Sequence, residues 1–146
     1  MPAPQGNRFW EARSRHGRAP IFASPEQLWE AATDYFQWVE DNPLWEDQLI
    51  KFQGEAKHEN VAKMRAMTLS GLCIFLDIAR NTWDDYAKRD DFLGVTNQIA
   101  EIIRTQKFEG ASADLLNPNI IARDLGLADK QDHTGSLIVE IVRLTD

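Results

Sequence analysis

Disulfide, membrane and catalytic signals are all scarce in this chain. A single cysteine, Cys73, stands among 146 residues, so no internal disulfide can form. A reducing compartment such as the cytoplasm is the natural setting. No apolar run approaches the roughly 20 residues that a bilayer-spanning helix needs, so no membrane association is expected. The first residues lack an apolar h-region, which argues against a signal peptide. No glycine-rich loop that could cradle phosphates is present, so the chain is not expected to hydrolyse ATP by itself. His16, His58 and His133 are far apart, and none has metal-ligand spacing to Cys73 or to another histidine. The acidic doublets Glu40-Asp41, Glu46-Asp47, Asp84-Asp85 and Asp90-Asp91 are poor two-carboxylate metal sites. Adjacent residues on a helix point about 100° apart, so these read as solvated faces. Cys73 lies on an apolar stripe and reads as core rather than nucleophile. The expectation is a non-enzymatic protein with no catalytic residues, no metal and no cofactor.

Cations are also few. Sixteen Lys and Arg face 23 Asp and Glu, for a net charge of −7. The distribution is uneven. Residues 1–23 carry Arg8, Arg13, Arg15 and Arg18 against Glu11 alone, a net of +3, which leaves −10 on the remainder. This is a basic N-terminal arm on an acidic body. Such an arm can lie along phosphates while the body repels them; the plain alternative is a solvated tail.

What is present is mainly helix. After the Pro- and Gly-containing arm, Ser24 is an N-cap, Pro25 suits the first helical position, and Gln27 completes a capping box. Leu28, Ala32, Tyr35, Phe36 and Val39 follow at helical spacing, and Pro43 ends the run. Leu49 to Phe52 is strand-like, Gln53-Gly54 offers a turn, and Glu55 to Val61 returns, which predicts a small β-hairpin. Thr68 caps a helix with the stripe Leu69, Leu72, Cys73 and Leu76. A turn at Asp77-Ile78-Ala79 leads to a second helix from about Arg80 to Arg89. The pair forms a helix-turn-helix-like unit. Its outward face would present Asn81, Asp84, Asp85 and Lys88. Two aspartates on a recognition face oppose phosphate, so packing around Trp83 and Tyr86 is the alternative role. Arg80, Lys88 and Arg89 at the rim, with Lys63 and Arg65 just before the unit, are secondary candidates for backbone contact.

A longer helix is predicted from about Phe92 to Phe108, with Phe92, Val95, Ile99, Ile102 and Ile103 as its stripe. Gly110 is expected to interrupt it, followed by a helical stretch from Ala111 to Leu125, broken near Asn117-Pro118-Asn119 and stopped by Gly126. These segments suggest a helical hairpin. The final ten residues, Leu137 to Asp146, read as a β-branched strand with no obvious partner. Copies pairing between subunits through Leu137, Val139 and Ile141 would close a barrel and remove every edge; addition to a sheet within one subunit is the alternative. The expected organisation is therefore an arm at 1–23, a helix-turn-helix-like domain with β-hairpin at 24–90, the helical hairpin at 91–128, and a linker and barrel strand at 129–146.

Three runs carry a resemblance: Gly6-Asn7-Arg8-Phe9-Trp10-Glu11-Ala12-Arg13-Ser14, Ala62-Lys63-Met64-Arg65-Ala66-Met67-Thr68, and Asn119-Ile120-Ile121-Ala122-Arg123-Asp124-Leu125-Gly126-Leu127. With Ser24-Pro25-Glu26, Asn42-Pro43-Leu44-Trp45-Glu46 and Gln106-Lys107-Phe108, they resemble the small terminase subunits of short-tailed Salmonella-type phages, over residues 1 to about 128. The resemblance implies a viral DNA-packaging protein in the host cell cytoplasm. It implies a ring homo-oligomer, commonly nonameric, built on the helical hairpin with Ile99, Ile102 and Ile103 at subunit contacts, that recognises the packaging-start region of double-stranded viral DNA. It also implies recruitment and regulation of the large terminase subunit, which holds the ATPase and nuclease. The nearest members continue with a strongly basic tail that Arg143-Leu144-Thr145-Asp146 does not match. The arginine arm and the helix-turn-helix rim are then the leading DNA-contact candidates. The competing reading is a dimeric helix-turn-helix transcription regulator, with paired half-sites on a short operator.

Overall fold

In the computed structural model, the placement of residues 7–13 and 22–127 is described. Among the described residues there are five helices, of which the first four share one core, and a two-stranded hairpin. Helix α1 (Pro25–Asp41) begins with the expected Ser24 cap, its Oγ accepting from the Gln27 amide at 3.3 Å, while Gln27 Oε1 reaches past the N-cap and accepts from the Ala23 amide at 3.0 Å. Its buried face is Leu28, Ala31, Ala32, Tyr35 and Val39. Phe22 is buried just before it and donates its amide to the Tyr86 hydroxyl at 2.6 Å.

Strands β1 (Leu44–Phe52) and β2 (Glu55–Lys63) pair antiparallel in unbroken register from Leu44 with Lys63 to Phe52 with Glu55. The hairpin is longer than the sequence pattern suggests. Gln53 and Gly54 form its two-residue turn with φ of 50° and 82°. Positive φ at both central positions matches the strand twist, which is why such turns favour glycine.

Helices α2 (Leu69–Leu76) and α3 (Arg80–Lys88) are joined by residues 77–79, with Asp77 in the left-handed region at φ 59°. Thr68 caps α2, its hydroxyl accepting from the Gly71 amide at 2.8 Å. Trp83 and Tyr86 are buried as expected, while Asn81, Asp84, Asp85 and Lys88 are exposed.

Helix α4 (Leu93–Ser112) runs straight through Gly110, so the expected break there does not occur. Glycine is needed for proximity: a Cβ at this position would lie 2.6 Å from Leu116 Cδ1 and 2.9 Å from Met64 Sδ. The chain turns at 113–117, and α5 (Pro118–Asp124) starts on an Asn117 cap, whose Oδ1 accepts from Asn119 and Ile120 at 3.0 and 3.1 Å. Lys107 donates to Asp124 at 2.5 Å and ties α5 to α4, and Arg104 caps the end of α5 through the Leu125 carbonyl.

The core crosses the boundary expected at residue 90. Phe92, Ile99 and Ile103 pack in one cluster with Leu28, Leu72, Leu76 and Trp83. Ile99 and Ile103, at 0% and 2% exposure, face the interior of their own subunit, which corrects their assignment to a subunit contact. Ile102, half-buried, remains at the surface of α4. The expected strand with Leu137, Val139 and Ile141, like Arg15 and Arg18, lies outside the described residues.

Two glycines test this packing with opposite signs. A Cβ at Gly71 would lie 2.6 Å from the Tyr35 hydroxyl and 2.8 Å from Thr68 Oγ1, whereas Gly94 in α4 meets nothing within 4 Å. Gly71→Ala is expected to destabilise by about 1–3 kcal/mol. Gly94→Ala is expected to stabilise by up to about 1 kcal/mol. Denaturant unfolding of the two variants checks both.

Candidate nucleic-acid interface

The segment between hairpin and α2 decides which cations reach the surface. Residues 64–68 are extended but pair with no strand among the described residues. Their polar groups are met by side chains. Gln106 of α4 donates to the Arg65 carbonyl at 2.9 Å and accepts from the Met67 amide at 3.0 Å. The Tyr35 hydroxyl accepts from the Thr68 amide at 3.1 Å and donates to the Thr68 carbonyl at 3.3 Å. Burial raises the Tyr35 pKa above its ordinary value.

Arg65 belongs to this junction. It is 8% exposed, its guanidinium lies 4.7 Å over the Trp38 ring, and its Nε donates to the Asn42 carbonyl at 2.7 Å. Burial lowers its pKa from the ordinary guanidinium value. A side chain held this way is not offered to a phosphate, which corrects its assignment to DNA contact. Sequence reasoning took the Lys63–Arg65 pair for a surface patch. Lys63 ends strand β2, which has no buried residue, and Arg65, two residues beyond it, turns onto Trp38 and Asn42.

Among the described residues, most of the remaining candidate cations are already paired with acids. Arg8 meets Glu11 at 3.3 Å, Lys63 meets Glu46 at 2.8 Å, and Arg80 meets Asp84 at 3.7 Å. Arg89 makes two bonds to Asp91, at 3.2 and 2.9 Å. The Lys63 hydrogen bond holds the Glu46 carboxyl below its usual range. Arg13 folds onto its own main chain, donating to the Trp10 and Ala12 carbonyls at 2.6 and 2.7 Å. Lys88 is exposed and makes no ion pair with a described residue. Helix α1 adds Glu26, Glu30, Asp34, Glu40 and Asp41 with no Lys or Arg.

The described part of the arm is docked. Asn7 pins the edge of β1: its amide donates to the Trp45 carbonyl at 3.1 Å and accepts from the Trp45 amide at 3.0 Å. A 3-10 turn at Phe9–Glu11 follows and packs against α2. Phe9 and Ala12 line an apolar groove of about 490 Å³ with Tyr35, Trp38, Ile74 and Phe75. No group of three or more potential metal ligands occurs among the described residues. Burial pushes the Cys73 thiol up to about 11, so it is inert at neutral pH. No helix of the described residues is long and apolar enough to cross a membrane.

A family model described as DNA-packaging protein gp3 matches residues 17–133. Over 130 residues, 89% of this chain and 80% of the relative, the sequence is 57% identical to the small terminase subunit of Salmonella phage P22. The chain belongs to the small terminase subunits of phage DNA packaging. Members of this family are non-catalytic packaging proteins, so its interface is to be judged by charge and shape rather than by reactive groups.

Arg65 separates a structural from a DNA-binding role in this terminase subunit. Arg65→Ala is expected to lower stability by about 2 kcal/mol, through loss of the cation–π contact and a buried hydrogen bond. Arg65→Lys is expected to restore little, because an ammonium cannot both stack on Trp38 and reach Asn42. Thermal unfolding reads the loss, and DNA affinity of the folded variants should match the parent.

Proposed function

We propose that this small terminase subunit acts as a closed homo-oligomeric ring, with nine copies favoured, in the host cell cytoplasm. The ring recognises the packaging-start region of double-stranded viral DNA. It recruits and regulates the large terminase subunit, which supplies ATPase and nuclease activity. The 57% identity with the small terminase subunit of Salmonella phage P22 carries this reading. The same match favours packaging over a dimeric transcription regulator.

Within this reading, Arg8, Arg13, Arg15 and Arg18 contact phosphate, with Lys63, Arg80, Lys88 and Arg89 in a secondary role. Strands containing Leu137, Val139 and Ile141 pair between subunits. The geometry supports weak binding by each copy. A phosphate that takes Arg80 or Arg89 must displace Asp84 or Asp91 and then lie beside the released carboxylate. Surface pairs are worth about 0–1 kcal/mol, so displacement is cheap, but the carboxylate's repulsion persists. A ring multiplies such weak contacts through effective concentration.

Native mass spectrometry of the full chain is expected to show a single closed oligomer, and a dimer would overturn the ring. Affinity for duplex DNA should fall with log salt at about −0.9 per neutralised phosphate. Replacing the four arm arginines by alanine should weaken binding on every sequence alike. Asp84→Asn with Asp91→Asn should strengthen it by about threefold or more at low salt. No binding even at low salt would leave only a scaffold role.

A further inference from the structure

The docked arm is the state from which its arginines must act. Residues 7–13 lie against the body with none of them buried, and Phe9 and Trp10 keep 42% and 49% of their surface exposed. Asn7 holds the segment by its two bonds to the Trp45 main chain, Phe9 enters the groove beside Tyr35 and Phe75, and Ala12 packs on the core. Segments with few buried contacts open locally at a cost well below that of global unfolding. The arm is therefore held but readily released.

Docking also decides what surrounds Arg13. A second groove, of about 290 Å³, is lined by Arg13 together with Asp34, Gln37 and Asp41 of α1, and by no second cation. The other charges of residues 7–13 are Arg8 and Glu11, which pair with each other. Arg65 lines the adjoining groove and is held over Trp38. Within its own turn Arg13 already donates to the Trp10 and Ala12 carbonyls. A phosphate approaching Arg13 in this position meets two carboxylates across the same groove. Repulsion between charges a few ångströms apart is stronger beside protein than in open water. Helix α1 thus offers Arg13 the same kind of partner that a duplex would.

We propose that α1 and the hairpin root hold the arm in an autoinhibited position, and that duplex DNA competes with this docking site for it. Asn7 is the positioning residue. DNA takes the arm only from the undocked fraction of molecules, so the observed affinity is the intrinsic one reduced by that fraction. This rests on the reading above that the arm arginines contact phosphate, and adds how their access is controlled.

The test uses the full chain carrying Asn7→Ala and Phe9→Ala, with the fold confirmed by circular dichroism. The pair changes no charge, so a gain in affinity does not come from altered net charge. Trypsin cleavage after Arg8 and after Arg13 is expected to be faster than in the parent, which reports release of the arm. Affinity for a mixed-sequence DNA duplex at low salt is expected to rise at least about threefold. Adding Arg8→Ala and Arg13→Ala should abolish the gain. An unchanged cleavage rate would overturn the proposal, because these contacts would then not hold the arm. Faster cleavage with unchanged or weaker binding would also overturn it, and would leave the arm's role in binding standing. A parent whose affinity is untouched by replacing all four arm arginines would instead remove that role, and the autoinhibited position with it.

Discussion

Five residues without a strand partner, 64–68, run between the hairpin and the capped start of α2, and most of them are wholly or partly buried. Buried backbone groups left unpaired cost as much as lost hydrogen bonds. Here two side chains meet that demand from opposite sides. Gln106 acts as a surrogate strand edge for Arg65 and Met67, and Tyr35 does the same for Thr68. Because Tyr35 belongs to α1 and Gln106 to α4, the same four bonds hold the two longest helices to the segment. The rest of the subunit follows from that junction, since one end of it aims the hairpin and the other fixes the first turn of α2.

Neighbouring choices then become necessary. The Tyr35 hydroxyl occupies the space a Cβ would need at position 71, so α2 carries glycine in its first turn. The Arg65 side chain fills the opening between Trp38 and the end of α1, where its guanidinium serves both the indole face and the Asn42 carbonyl. Asn7 applies the same device at the hairpin root, using one side-chain amide to satisfy both main-chain groups of Trp45. In each case an amide, a hydroxyl or a guanidinium does work that a third strand would do in a larger sheet.

This pattern explains what was legible in the chain and what was not. Local signals were reliable. Ser24 with Gln27, Thr68, Asn117 and the Gln53-Gly54 turn all act through neighbours within a few positions, and each is found where its chemistry demands. The helical stripes were legible to within a turn. What failed depended on partners distant in the chain. Ile99, Ile102 and Ile103 share one periodic stripe, but only the tertiary packing of α1 and α3 decides that Ile99 and Ile103 point inward and Ile102 stays half-exposed. Gly110 is a helix breaker by propensity, yet Met64 and Leu116 make it a point of close approach. Arg65 resembled Lys63 because periodicity does not report that a strand ends between them. The contacts of Gln106 and of the Lys107–Asp124 pair could not be read from local pattern, since a single polar residue on a helix gives no hint of what it will meet.

The electrostatics of the subunit carry a functional consequence. A net charge of −7, an α1 without a single cation, and the pairing of Arg8, Lys63, Arg80 and Arg89 with acids leave little for a lone subunit to offer a duplex. Non-specific affinity for nucleic acid rises with the number of phosphates neutralised, so this surface keeps it low. Contacts worth a fraction of a kcal/mol apiece become consequential only when several copies present them together at fixed spacing. In the proposed ring, discrimination passes from the individual side chain to the assembly, and DNA engagement depends on how many copies are held in place at once.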